Sequence, residues 1–205
     1  MKNIGIFISG GGSNLQAIID AIAKGDITAR ISLVISSREG VYGLERARKH
    51  GIPYAVISRG DYKDSNSFGN AILELLEKRR VDLVVLAGYL NILPKAVVEK
   101  YKNRIINIHP SLIPAFCGKG YYGNRVHQAV LDYGVKVTGA TVHFVDEGTD
   151  TGPIILQQSV EVLPEDDVNT LAERVLKVEH QLLPKALKLL VEDRILVDER
   201  RVIIR

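Results

Sequence analysis

The chain has 205 residues, with 27 Lys and Arg against 24 Asp and Glu for a net charge of +3, 46% hydrophobic residues, one Cys and no Trp. That composition excludes collagen-like, disordered and disulfide-scaffold proteins and fits a single domain over residues 1–205 that can bury a sizeable core. A lone Cys makes neither an intrachain disulfide nor a zinc cluster and suits a cytoplasmic location. The mild charge balance argues for no nucleic-acid partner and leaves a small anionic metabolite open. The first apolar run, residues 4–8, is interrupted by Gly5 and is far shorter than the roughly 20 residues of a membrane span, so no membrane partner is expected.

In chain order, residues 3–9 read as a strand, 14–24 as a helix and 31–36 as a second strand, the βαβ pattern of a parallel sheet. A helix over 42–49 is stopped by Gly51 and Pro53, then come a strand at 54–57 and a helix at 66–79. Residues 81–87 lack alternation, which places them mid-sheet with helices on both faces. A short helix near 95–101, a strand at 104–109 and a helix at 126–133 follow, with His127 expected on the helix surface. Residues 136–145 alternate, predicting one wetter face, and 154–160 can pair with them. Asp166 or Asp167 is expected to cap a long helix through Val168, Leu171, Val175 and Leu182, with Pro184 kinking or dividing it. Residues 195–197 and 202–204 read as a terminal hairpin. The whole predicts a Rossmann-like, three-layer α/β/α fold whose mostly parallel sheet becomes mixed toward the C-terminus.

Two segments carry chemistry. The turn Ser9-Gly10-Gly11-Gly12-Ser13-Asn14 joins the first strand to the first helix, where backbone amides and the helix dipole attract a phosphate and where Ser13 and Asn14 can cap. It matches neither the G-x-G-x-x-G dinucleotide fingerprint nor a P-loop, which disfavours nicotinamide cofactors and ATP or GTP hydrolysis. Further on, Asn107 and His109 sit at i and i+2 of one strand end and so share a face, and Asp150 lies in a Gly- and Pro-containing loop before 154–160. An Asn, a His and an Asp with no activated Ser or Cys suit direct acyl transfer to an amine. Asn107 and His109 would stabilise an oxyanion, Asp150 would move protons, and its charge would favour the His109 imidazolium.

The blocks Ile8-Ser9-Gly10-Gly11-Gly12-Ser13-Asn14-Leu15-Gln16, Leu86-Ala87-Gly88-Tyr89, Asn107-Ile108-His109-Pro110-Ser111-Leu112-Ile113-Pro114 and the stretch from Gly139 through Gln157 resemble the folate-dependent formyltransferases over nearly the whole chain. The glycine turn and Glu179-His180 point to the branch that acts on glycinamide ribonucleotide. The resemblance implies transfer of a formyl group from the co-substrate 10-formyltetrahydrofolate to that amine in purine synthesis, through a tetrahedral intermediate with no covalent enzyme adduct and no metal. It implies catalytic Asn107, His109 and Asp150, a phosphate site at Gly12, Ser13 and Asn14, and Glu179 at the ribose or glycinamide end. Leu90, Asn91, Ile92 and Leu93 would line the folate pocket, and the protein would be a monomer or homodimer; Thr141 and His143, on one side of their strand, either orient the catalytic groups or simply pack and hydrogen-bond there. Two departures touch the folate rim: Asn91 stands where many relatives carry Arg, and the loop over residues 116–123, with Cys117 in it, is longer than the commonest one. Rival readings are formylation of another amine, hydrolysis of the same donor, and a silent nucleotide- or folate-binding module.

Overall fold

Ile4, Ile6, Phe7 and Ile8 are wholly buried in β1 (Lys2–Ile8), because this strand has neighbours on both edges and apolar cover on both faces. The structure, a computed structural model, describes residues 1–205 as two compact units, 1–106 and 107–205. In the first unit β1 pairs in parallel with β2 (Ala29–Ser36) and β4 (Leu83–Leu86), and β2 pairs in parallel with β3 (Tyr54–Val56). Its helices are α1 (Ser13–Ala23), α2 (Tyr42–Lys49), α3 (Ser65–Lys78) and α4 (Lys95–Lys100). The β4 run without alternation is buried at every position.

β5 (Ile105–His109) carries the chain into the second unit, which holds α5 (Asn124–Tyr133), β6 (Val137–Phe144), β7 (Ile154–Glu161), α6 (Val168–Val191) and the hairpin β8 (Ile195–Asp198) with β9 (Arg201–Ile204). β6 and β7 are antiparallel, so a three-layer α/β fold with a seven-stranded sheet, in the order β3-β2-β1-β4-β5-β6-β7, ends mixed as expected.

Three expectations are corrected here. β6 has no wetter face: only Val137 is exposed, and its polar residues are internal, with Thr141 Oγ1 donating to Ser111 O at 2.7 Å. The alternation reflects hydrogen bonding inside the unit rather than solvent. His127 is buried, because it shares the inward stripe of α5 with Val126 and Val130, one and three residues away. Pro184 does not divide α6. Leu182, Leu183, Ala186 and Leu187 around it are buried, and at about 1.5–3 kcal/mol per large apolar side chain their packing outweighs the roughly 3 kcal/mol a helix loses at an internal proline.

α6 starts where the sequence placed it. Asp167 accepts from Asn169 N and Thr170 N, both at 2.8 Å, and the Thr170 hydroxyl accepts from Asp167 N at 2.9 Å. Beside it the Asp166 side chain, 1% exposed, takes both Arg174 Nη atoms and the Leu163 amide, which together hold its carboxyl down to about 2. A carboxyl held low stabilises the fold above its ordinary value of 3.8, and that stabilisation is lost as the pH falls toward about 2. Asp166→Asn is therefore expected to cost about 2 kcal/mol near neutrality. Urea unfolding would show the gap from wild type narrowing when the pH is lowered through the range between these two values; a gap that stays constant would refute the account.

Candidate active site

In the second unit Asn107 and His109 project from the end of β5 on one face, and the β6–β7 loop brings Asp150 to them. Asp150 Oδ2 lies 3.6 Å from His109 Nδ1 and accepts from Gly118 N at 2.9 Å. Asp150 Oδ1 lies 3.5 Å from Asn107 Nδ2 and 3.6 Å from His143 Nε2. The His109, His143 and Asp150 side chains are 5%, 3% and 11% exposed, so these contacts act with little solvent screening.

The tautomers follow from the carbonyls. His109 Nε2 sits 2.9 Å from Phe116 O, and a carbonyl only accepts, so Nε2 carries the proton and the neutral ring turns a bare Nδ1 toward Asp150. His143 Nδ1 donates to Phe144 O at 2.7 Å, and its Nε2 lies 3.1 Å from Asn107 Nδ2, on the side of Asp150. The amide nitrogen of Asn107 thus faces His143 and Asp150. Burial pushes His109 below its ordinary value, outweighing the opposing pull of Asp150 and of the Phe116 carbonyl. Asp150 does favour the imidazolium, as expected, but desolvation outweighs it in the free protein. Burial acts to raise Asp150, but His143, His109 and the Gly118 amide outweigh it and leave the carboxyl below its ordinary value.

The loop that carries Asp150 is built to hold one shape. Asp150 itself is left-handed at φ 58°, a conformation that costs a non-glycine residue about 1 kcal/mol or more. Asp146 Oδ1 takes Gly148 N at 3.1 Å and Thr151 Oγ1 at 2.6 Å, and a Cβ on Gly152 would run into the Phe144 carbonyl. Thr141 fixes the segment after β5, accepting from Ile113 N at 3.1 Å.

The first unit holds the glycine turn. Gly12, at φ 69°, is the N-cap of α1, and no side chain caps this helix, so Ser13 and Asn14 occupy its first turn rather than the cap. A Cβ on Gly12 would lie 2.8 Å from Gly43 Cα, so glycine is required for its conformation and for the close approach of α2. The turn's carbonyls are gripped from behind. Arg38 Nε donates to Ser9 O at 2.8 Å, Gly43 N to Gly10 O at 3.1 Å, Arg46 Nε to Gly11 O at 2.9 Å and Gln16 N to Gly12 O at 2.9 Å. Carbonyls fixed this way hold the turn in one conformation, with its remaining main-chain N–H groups available to an anion.

Buried Ser9 also ties the turn to the loop after β4, its Oγ accepting from Leu90 N at 2.9 Å and from Ser37 Oγ at 2.7 Å. In that loop Leu90 and Ile92 are exposed, Asn91 is half-buried, and Leu93 is buried in the core, as is Tyr89, whose ring meets the Phe7 ring edge-on at 5.2 Å. Burial pushes the Tyr89 hydroxyl up to about 12 against a smaller pull from the Asn91 side chain. Glu179 is buried within α6, unlike an ordinary solvent-facing helix glutamate. The structure therefore brings Asn107, His109 and Asp150 together, with His143, and places Gly12, Ser13, Asn14 and the 90–93 loop in the other unit. Sequence reasoning missed the Phe116 carbonyl, the Gly118 amide and the grips of Arg38 and Arg46, since main-chain partners leave no mark in residue type, and the Ser37–Ser9 hydroxyl pair, which joins residues 28 apart in sequence.

A Rossmann-like sheet with an Asn-x-His strand end and a facing aspartate defines a class, and the family model described as formyl transferase matches residues 2–187: the chain belongs to the formyl transferase family. Within it, the chain is 45% identical to the solved glycinamide ribonucleotide transformylase 1 from Symbiobacterium toebii, with a TM-score of 0.94 over 100% of this chain and 94% of that one. It is 41% identical to the chloroplastic phosphoribosylglycinamide formyltransferase of Vigna unguiculata, over 95% of this chain and 62% of that protein. It is also 45% identical to the trifunctional purine biosynthetic protein adenosine-3 of Bos taurus over 96% of this chain, which spans only 19% of that longer relative. No helix is long and apolar enough to cross a membrane.

Proposed function

We propose that the protein transfers the formyl group of 10-formyltetrahydrofolate to the primary amine of glycinamide ribonucleotide, in purine biosynthesis. The observation that carries this reading is the buried cluster of Asn107, His109 and Asp150, supported by the names of relatives similar along their whole length. The amine attacks the formyl carbon directly. A new carbon–nitrogen bond forms as the carbonyl becomes an oxyanion, the bond to the folate nitrogen then breaks, and the proton lost by the amine is returned to that nitrogen.

Each group has a role that its geometry suits. The bare Nδ1 of His109, facing Asp150, takes up the proton that the attacking amine loses; the imidazolium hydrogen-bonds to the oxyanion and gives the proton up to the leaving folate nitrogen as the intermediate collapses. Asn107 supplies a second donor by turning the hydrogen it now aims at Asp150 Oδ1, across a long 3.5 Å contact, to the formyl oxygen. Asp150, ionised because its carboxyl is held low, balances the imidazolium and relays the amine's proton to His109 through water. The turn at Gly12, Ser13 and Asn14 holds the phosphate, Glu179 meets the ribose or glycinamide end, and the loop of Leu90, Asn91, Ile92 and Leu93 receives the reduced folate.

No side chain near the cluster is set up as a nucleophile, which supports direct transfer without an enzyme adduct. The Ser111 hydroxyl is spent on Ala115 O at 2.6 Å, and burial, then Asp150, push the Cys117 thiol up and keep it protonated. In this reading the 205 residues work as one cytoplasmic formyltransferase domain, as monomer or homodimer, with no resident metal. The test is an assay of the purified protein with both substrates. Formyl-glycinamide ribonucleotide and tetrahydrofolate are expected in equal amounts, without formate when the amine is omitted. Amine-independent formate release would favour hydrolysis instead, and binding without turnover a silent module.

A further inference from the structure

The hairpin of β8 and β9 lies beyond residue 187, where the family match ends, yet it reaches the loop that carries Asp150. Its strands pair from Ile195↔Ile204 to Asp198↔Arg201, and its base is closed by Arg205 N donating to Arg194 O at 2.9 Å and Arg194 Nε donating to Arg205 O at 2.6 Å. β9 lies against β7, so the turn at Glu199 and Arg200 is carried on an anchored arm. From that turn Arg200 Nη2 donates to Thr151 O at 3.0 Å, across 49 residues of sequence.

Thr151 is the residue after Asp150 and is held at both ends, its hydroxyl by Asp146 and its carbonyl by Arg200. Residues 147–149 and 151 are exposed, so the loop has little packing to define it and depends on such ties. We propose that Arg200 is a positioning residue: its guanidinium, by fixing the carbonyl that follows the left-handed Asp150, keeps the carboxylate against His109. A carboxylate displaced by a fraction of an ångström still binds nothing differently but reacts more slowly, so the contact acts on turnover and not on substrate affinity. This rests on the reading of Asp150 as catalytic.

The experiment compares Arg200→Ala, Arg200→Lys and Asp150→Asn in the full chain by steady-state formyl transfer, with amide hydrogen exchange of residues 147–151. Arg200→Ala is expected to lower kcat about threefold to tenfold with KM for both substrates within about twofold, and to speed exchange in the loop. Arg200→Lys, which can still donate to the carbonyl, is expected to recover at least about half of the lost kcat. An Arg200→Ala protein with unchanged kcat beside an inactive Asp150→Asn protein would overturn the proposal, as would a loss that Lys does not relieve. An active Asp150→Asn protein would instead overturn the reading of the site on which the proposal rests.

Discussion

Asp150→Asn is expected to lower kcat by roughly 10³-fold while leaving KM for either substrate nearly unchanged, within the range of 10²–10⁴ that positioned proton transfer supplies. The substitution is close to isosteric, and asparagine tolerates the left-handed backbone that Asp150 adopts at φ 58°. An amide oxygen can still accept from Gly118 N, so the loop keeps its tie. What disappears is the negative charge beside His109 Nδ1 and the base that relays the amine's proton. Because the carboxyl is held below its ordinary value despite burial, losing its charge is expected to cost some stability, and a thermal melt showing the variant still folded at the assay temperature separates a chemical loss from a structural one. A variant whose kcat stays within about threefold of wild type would remove Asp150 from the mechanism.

Much of this site was legible because two of its parts are written in spacing. Asn107 and His109 at i and i+2 on an apolar strand must share a face, and the run Leu83 to Leu86 could only be a strand covered on both sides. The cap at Asp167 was legible for the same reason, since capping chemistry is local. His127 was not, because a polar residue type argued for the surface while its place between Val126 and Val130 on the packed stripe of α5 buries it. Nor was the charge state of His109, where burial opposes Asp150 and only coordinates give the degree of burial. The wet face expected of β6 failed because Thr141 and His143 satisfy their polar atoms with Ser111, Phe144 and Asn107, partners that alternation cannot name.

His109→Gln is expected to cost about 10²- to 10³-fold in kcat, the usual loss when one oxyanion donor is removed, and it should also change the shape of the pH profile. Burial holds His109 below 6.5, so in the free protein the ring is neutral near pH 7 and gains its second proton only as the pH falls through that lowered value. A ring already protonated cannot take up a proton during the reaction, and its charge cancels that of Asp150. Activity therefore falls on the acid side. The substrate amine must also be unprotonated, and its ionisation, near the ordinary amino value of about 8, gives a first acid limb of unit slope in both proteins. Wild type should then steepen to a slope of two below the His109 value, whereas His109→Gln should keep a slope of one. His143 and His127 are the other imidazoles within reach of this ring. A second unit of slope that survived in His109→Gln would belong to one of them, and the proton acceptor assigned to Nδ1 of His109 would have to be given up.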